Sequence, residues 1–435
     1  LLVPEGIPFI DDNALKVLRD YKYVDLAVYI INKFWPEVET SVLAKIIENS
    51  YRNFYNDRIV TIKDLREFLL AELYHGPTFA FKDLAMQFLG NLFEYLNKKR
   101  NININIIGAT SGDTGSSAIY SVKGKANISI FILYPYEKIS NIQELQMTRH
   151  LEDNIHPIAI KGNFDDCQKI IKSLFMEKAF KENYNLVAVN SINWARIVAQ
   201  IVYYFYIYFQ LTENNDERVN FIVPTGNFGN VFAGFMAKKM GLPIDKLVIA
   251  TNENDILNGF VNNGHYSVKK AKKTYSPSMD ITVASNFERY LYYLYEGDVS
   301  LVNSQMENLK NSGSIIVSHE MLRKVKEDFL SASTTNSEIL NTIKKVHKEY
   351  REIVDPHTSC AINAYYKLND KLKGKTICLA TAHPAKFPEV VKKALDIDID
   401  LPREITILYK KKKKSILLEN SVKSVKDYIF NQIRK

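Results

Sequence analysis

The sequence predicts an α/β fold built on parallel strands, and three observations carry that prediction. Short apolar runs end in clusters of Gly, Ser, Thr and Asn and restart as helices, the rhythm of strand–helix–strand units. Apolar residues make up 46% and charged residues 24% of the 435 positions, the composition of a packed chain rather than a disordered one. Gly and Pro number only 17 and 13, too few for a collagen-like, linker-rich or low-complexity sequence. At about 150 residues per domain, the length suits two or three domains.

The elements follow in order. Residues 12–72 carry helical spacing, as in Leu43, Ile46 and Ile47 and again in Leu65, Phe68, Leu69 and Leu70, so 1–72 is expected as an N-terminal helical region. Four strand-to-loop junctions come next. Ile104 to Ile107 leads into GATSGDTGSSA, Ile128 to Leu133 into YPYEKIS, Val219 to Val223 into PTGNFGN, and Thr376 to Ala380 into TAHPAKFPE. Parallel sheets bind ligands outside the carboxyl ends of their strands, so these loops are where a site is expected. The longest apolar stretch, Ile197 to Leu211, is too short to span a bilayer and contains Gln200 and Gln210; it reads as a buried helix. Residues 265–350 are polar and mostly helical in rhythm, with no legible chemistry.

The net charge of +8 is concentrated at one end. Arg403 to Lys435 holds ten Lys/Arg against three acidic residues, leaving the body nearly neutral. This basic stretch is expected as a solvated C-terminal tail, and no nucleic-acid or membrane partner is expected. Cys167, Cys360 and Cys378 are odd in number and scattered, which fits a reducing compartment and argues against a disulfide framework or a cysteine metal site. The opening LLVPEGIPF shows no signal-peptide pattern, so a cytoplasmic location and no metal are expected.

Lys82 stands out among the groups able to do chemistry. In HGPTFAFKDLAMQFLG it follows Phe79, Ala80 and Phe81 and precedes the helix-spaced Ala85, Phe88, Leu89 and Leu92. Such neighbours strip water from an ammonium and lower its pKa, which suits an amine nucleophile or Schiff-base former. A lysine snorkelling from an amphipathic helix gives the same local pattern. PTGNFGN, Pro224 to Asn230, lies between an apolar strand and the helical VFAGFMAKKMG. Its glycines admit an anion and the helix start supplies free N–H groups, so it suits a phosphate; a plain tight turn reads the same way. It lacks the Lys-Ser/Thr of a Walker A loop and the GxGxxG spacing of dinucleotide folds. ATSGDTGSSA, Ala109 to Ala118, is a second junction able to hold a carboxylate or phosphate. Thr381 ends the last apolar strand and can offer its hydroxyl to a ring nitrogen, whereas His383 before Pro384 reads as a structural turn histidine. HExxH, GxSxG and clustered Cys/His sets are missing, so zinc proteases, α/β-hydrolases and zinc deaminases lose support. A desolvated lysine beside anion cradles on an α/β sheet is the minimum kit for pyridoxal phosphate chemistry.

At these residues the chain resembles the threonine synthases, in the branch shared by many bacteria and fungi. HGPTFAFKD, GATSGDTGS, VNSINWARI, PTGNFGNVFAGF and TAHPAKFPE stand in that family's order, between Leu2 and about Leu401. The resemblance implies a fold type II pyridoxal-phosphate enzyme, with parallel and mixed sheets flanked by helices in a large and a small domain. On this reading 73–105 and 216–402 form the large cofactor-binding domain, 106–215 is an inserted small α/β domain, and 403–435 is the basic tail. It implies that Lys82 bonds to the cofactor aldehyde, that Gly226, Asn227, Phe228, Gly229 and Asn230 hold its phosphate, and that Thr381 faces its pyridine nitrogen. Asp113 stands where the wider fold group usually has Asn near the cofactor's phenolic oxygen. Ser111 and Thr114 fall where the substrate carboxylate would bind. Lys138, Ser140, Asn190, Asn193 and Arg196 are candidates for the substrate phosphate.

The implied reaction converts O-phospho-L-homoserine and water to L-threonine and phosphate. Lys82 takes the α proton, proton loss at the β carbon expels the γ-phosphate, and water adds at the β carbon. The alternative is a phospho-lyase on the same scaffold, acting on O-phosphohomoserine or O-phosphothreonine and releasing 2-oxobutanoate; it shares every cofactor residue. A binding protein on a degenerate scaffold is opposed by the intact Lys82, Gly226, Gly229 and Thr381. A short family segment is expected to be missing before Leu1, the stretch after Leu401 is not expected to carry family signal, and a monomer is expected.

Overall fold

The computed structural model describes residues 1–433, and the strands among them form three sheets. In chain order they are β1 (Thr61–Asp64), β2 (Leu69–Glu72), β3 (Ile104–Ala109), β4 (Ile128–Pro135), β5 (Ile155–Lys161), β6 (Leu186–Ala188) and β7 (Val219–Pro224). Then come β8 (Ile244–Thr251), β9 (His265–Ser267), β10 (Ser314–Ile316), β11 (Phe329–Ser333), β12 (Thr376–Ala380) and β13 (Ile416–Glu419). The large sheet has the order β1-β2-β12-β7-β8-β11 and is parallel except for the β1–β2 hairpin. The small sheet, β13-β5-β4-β3-β6, is parallel throughout. β9 and β10 form a separate antiparallel pair.

Continuous apolar runs make the central strands. VNFIVP in β7 and TICLA in β12 are buried at every position, as strands of a parallel sheet covered by helices on both faces must be. The helix Trp194–Leu211 is buried from Arg196 to Phe209. The amphipathic helix Tyr23–Phe34 lays Leu26, Ala27, Ile30 and Ile31 against it, so the N-terminal helices share one core with the large sheet. Among the described residues no helix is long and apolar enough to cross a membrane, and no cluster of side chains is suited to a metal. All three cysteines are buried thiols.

Three expectations are corrected. Leu65, Phe68, Leu69 and Leu70 do not lie on a helix: β1 and β2 form a hairpin with Thr61 opposite Glu72, at the edge of the large sheet. The apolar run Phe68 to Ala71 fits a buried strand as well as a helix face, and pairing of β2 with β12 decides the matter here. The expected division at 105/106 falls inside β3. Residues 265–350 are mostly helical as expected, with the short strands β9, β10 and β11 between the helices. The stretch 403–435 is not a tail over its described part. β13 pairs in parallel with β5, Ile416 opposite Ile158, and the helix Val422–Ile433 places Val425 and Ile429 in the core of the small sheet. Lysines dominate its composition, but these few apolar residues carry its packing.

The helix Lys82–Arg100 crosses the helix Asp113–Val122 at a glycine. A Cβ on Gly90 would lie 2.2 Å from the Ser121 carbonyl oxygen. Gly90→Ala gains up to about 1 kcal/mol of helix propensity, against an overpacking cost of roughly 1–3 kcal/mol or more. The clash with backbone puts the cost at the upper end, so a lower denaturant midpoint is expected. An unchanged midpoint would show that the two helices separate freely.

Candidate active site

Loops from three neighbouring strands build the site. The exits of β2 and β12 are stitched together by backbone hydrogen bonds from Leu73 N–H to the Ala380 carbonyl (3.0 Å) and from Phe81 N–H to the Thr381 carbonyl (2.8 Å). This fixes Lys82, at the first position of its helix, beside Thr381. The buried Asp83 carboxylate secures the loop from the other side, accepting from Thr78 N–H (2.7 Å), Thr78 Oγ1 (2.8 Å) and Ser117 Oγ (2.6 Å). A Cβ at Gly76 would come within 2.4 Å of the Asp83 Cβ, so the turn needs glycine there.

The exit of β7 forms the cradle. Phe228 takes a left-handed conformation (φ +66°) and turns the chain into the helix Gly229–Lys239, whose first N–H groups have no partner within the helix. The side-chain oxygen of Asn230 accepts from two buried tyrosines, Tyr203 (2.5 Å) and Tyr204 (2.8 Å). Its Nδ2 is buried without a partner. Asn286 bridges the cradle to the loop before Trp194, donating to the carbonyls of Asn227 and Ser191, both at 3.1 Å.

Charge is arranged around Asp113. Lys82 Nζ lies 3.6 Å from Asp113 Oδ2, and Lys386 Nζ lies 2.8 Å from Oδ1. Gln143 Nε2 (2.9 Å) and Ser278 Oγ (3.1 Å) also donate to this carboxylate. Burial pushes the Asp113 carboxyl up, but Lys386 and then Lys82 outweigh it and hold the group well below the usual carboxylate range. Burial lowers the Lys82 ammonium; Asp113 opposes this, and Lys386 and Arg196 add to it. Arg196 is buried, and its Nε and Nη1 have no partner. Burial lowers its guanidinium to about 10. A buried cation without a counterion is a demand for an anion.

One cavity of about 700 Å³, counting the solvent at its mouth, collects most of the expected residues. Lys82, Asp113, Thr114, Arg196, Gly226, Asn227, Phe228, Gly229, Asn230 and Thr381 all line it. Ser111 is half-buried and does not line it. Of the five candidates for the substrate phosphate, only Arg196 reaches the cavity. Ser140 and Asn193 spend their side-chain oxygens capping the helices Asn141–Thr148 and Trp194–Leu211. Lys138 donates to the Gly162 carbonyl (2.9 Å) at the surface, and Asn190 is exposed. Sequence reasoning missed His357 and Ser278 in the lining and the fully buried Lys386 beside it. Lys386 lies within TAHPAKFPE, but its partners are remote in sequence, so spacing gave no signal.

The residues present fit a phosphate-bearing aldehyde. An amine of lowered basicity stands at the exit of one strand and a cradle with an unsatisfied amide at the exit of another, while Arg196 is left for a second anion. The class so defined is a pyridoxal-phosphate-dependent enzyme of fold type II. The family model described as "Pyridoxal-phosphate dependent enzyme" matches residues 58–307, and models of the threonine synthase N terminus and C-terminal region match 1–51 and 358–429. The last match runs through the basic stretch, which therefore does carry family signal. The chain is 42% identical to threonine synthase of Schizosaccharomyces pombe, over 91% of this chain and 84% of that protein. It superposes on pyridoxal-phosphate-bound threonine synthase from Brucella melitensis with TM-score 0.95 and 38% identity, covering 100% of this chain and 93% of that one. The yeast threonine synthase structure gives TM-score 0.94 and 40% identity over 99% and 93%. The chain belongs to the threonine synthase family.

Proposed function

We propose that the chain converts O-phospho-L-homoserine and water to L-threonine and phosphate, the last step of threonine formation. The observation that supports this most is Arg196. Its unsatisfied guanidinium shares a cavity with the Lys82 amine, so the site asks for an anionic amino-acid substrate beyond the cofactor's own phosphate. We assign Lys82 as the group that bonds the cofactor and moves the substrate's α proton. The loop Gly226–Asn230 holds the cofactor phosphate through backbone N–H groups and the Asn230 amide. Thr381 faces the ring nitrogen, Thr114 takes the substrate carboxylate, and Arg196 takes the substrate phosphate.

Pyridoxal phosphate, when bound, supplies the electron sink that makes the protons next to the substrate amine acidic. The chain's own part is position and proton handling. Burial favours the neutral Lys82 amine, which can then accept a proton from carbon. Arg196 draws the phosphate away from the γ carbon as the Cγ–O bond breaks and holds the released anion. The small domain gains the whole of β3 together with β13 and the last helix. Three buried thiols fit a cytoplasmic enzyme, and the family branch favours a monomer.

Product analysis by NMR tests the proposal, using the purified chain with pyridoxal phosphate and O-phospho-L-homoserine. Threonine with equimolar phosphate is expected. Phosphate accompanied by 2-oxobutanoate would instead assign a phospho-lyase.

A further inference from the structure

Lys386 lies in the 3-10 turn Pro384–Lys386, just past the exit of β12, and is fully buried. Its amine meets the Thr78 carbonyl and Asp113 Oδ1, each at 2.8 Å. It therefore ties the loop that delivers Lys82 to the first residue of the helix Asp113–Val122. The other oxygen of the same carboxylate is 3.6 Å from Lys82 Nζ. One anion stands between two lysines.

We propose that Lys386 is a positioning residue: by engaging the Asp113 carboxylate it denies Lys82 a counterion of its own and keeps the Lys82 amine neutral and nucleophilic. The inference rests on the reading that Lys82 is the amine that bonds the cofactor. The charged and titratable groups around the pair are few. Asp113 faces Lys386, Lys82 and His357, with Gln143 and Ser278 completing its hydrogen bonds. His357 Nε2 accepts from Ser278 N–H (3.2 Å), and its Nδ1 lies 2.7 Å from the Asp355 carboxylate. Lys82 faces Asp113, Lys386 and Arg196, with the Phe81 ring centroid 5.0 Å away. Asp83, held by Thr78 and Ser117, faces Lys386 from the other side.

In a site this dry, a carboxylate with Lys82 as its single cation would form an ion pair and hold the proton on the amine. Lys386 changes that balance in two ways. It shares the carboxylate at the shorter distance, and its own charge repels a second ammonium. Lys82, with the longer contact, loses least by releasing its proton.

The test follows the pH dependence of condensation between pyridoxal phosphate and the full chain freed of cofactor, read by absorbance. The attacking amine must be neutral: its lone pair forms the C–N bond, and the aldehyde oxygen leaves as water with the amine's two hydrogens. The rising limb of rate against pH thus reports the proton on Lys82. In Lys386→Met the limb is expected to move up by about one pH unit or more, slowing condensation at neutral pH about tenfold or more. Lys386→Arg is expected to restore most of the limb, and Asp113→Asn combined with Lys386→Met to bring it back toward wild type. A limb unmoved in Lys386→Met, whatever the overall rate, would overturn the proposal, since a merely structural lysine changes rate at all pH alike. If Lys386→Met does not fold, Lys386→Gln, which can still donate to the Thr78 carbonyl but carries no charge, decides in its place. It should move the limb up, and a limb left in place overturns the proposal equally. Failure of the underlying reading is separate: Lys82→Ala would then still condense at the wild-type rate.

Discussion

In Lys82→Ala, kcat is expected to fall by roughly 10⁴-fold or more, because one amine serves both the bond to the cofactor and the proton transfer at carbon. The fold should survive this change. Asp113, the charged neighbour of Lys82, keeps Lys386 at 2.8 Å together with Gln143 and Ser278, so no buried carboxylate is left unpaired. The loss can therefore be read as chemistry rather than unfolding. Without the covalent bond the cofactor is held only by the cradle and should leave on dialysis. Steady-state rates and the absorbance of dialysed protein check both points. Turnover retained by the alanine variant would sink the mechanism.

Arg196→Met is expected to move activity and stability in opposite directions. The guanidinium is buried with two nitrogens unpartnered, and burial lowers its pKa to about 10, which means the fold disfavours its charge. A buried unpaired ion costs several kcal/mol, whereas methionine fills nearly the same space without charge. The melting temperature of the cofactor-free chain should rise. Two charge-assisted hydrogen bonds to a substrate phosphate contribute about 1.5–3 kcal/mol each, so kcat/KM should drop by roughly 10²–10⁴-fold. With pyridoxal phosphate filling the cradle, inorganic phosphate should stabilise the wild type against heat and leave the variant unmoved. A variant with normal kcat/KM would remove Arg196 from the substrate site.

The parts of this protein that were legible in sequence are those specified locally. Ile104 to Ile107, Val219 to Val223 and Thr376 to Ala380 are apolar runs that end in turn residues, and each is a strand that ends at a functional loop. Lys82, the cradle and Thr381 were visible because their neighbours in sequence are also their surroundings in space. What stayed hidden depends on pairing across long separations. Leu65 to Leu70 looked helical until β12 lay beside it, and Lys386 carried no signal until Thr78 and Asp113 enclosed it. Ser140 and Asn193 had the right chemistry for a phosphate, but helix capping, a local demand on the same atoms, claimed them first.

The placement of β13 has a consequence for how the chain is made. The small sheet takes four strands from the stretch 104–188 and its fifth from 416–419, so its outermost strand emerges from the ribosome only after the whole large sheet. Throughout that interval β5, IHPIAIK, presents a free edge that another nascent chain can pair with. Long-range closure of this kind is slow, and the exposed apolar edge is the point at which synthesis in crowded polysomes is most open to aggregation. The lysine run just before β13 arrives together with the strand that seals the edge, bringing like-charge repulsion between neighbouring chains to the moment of closure.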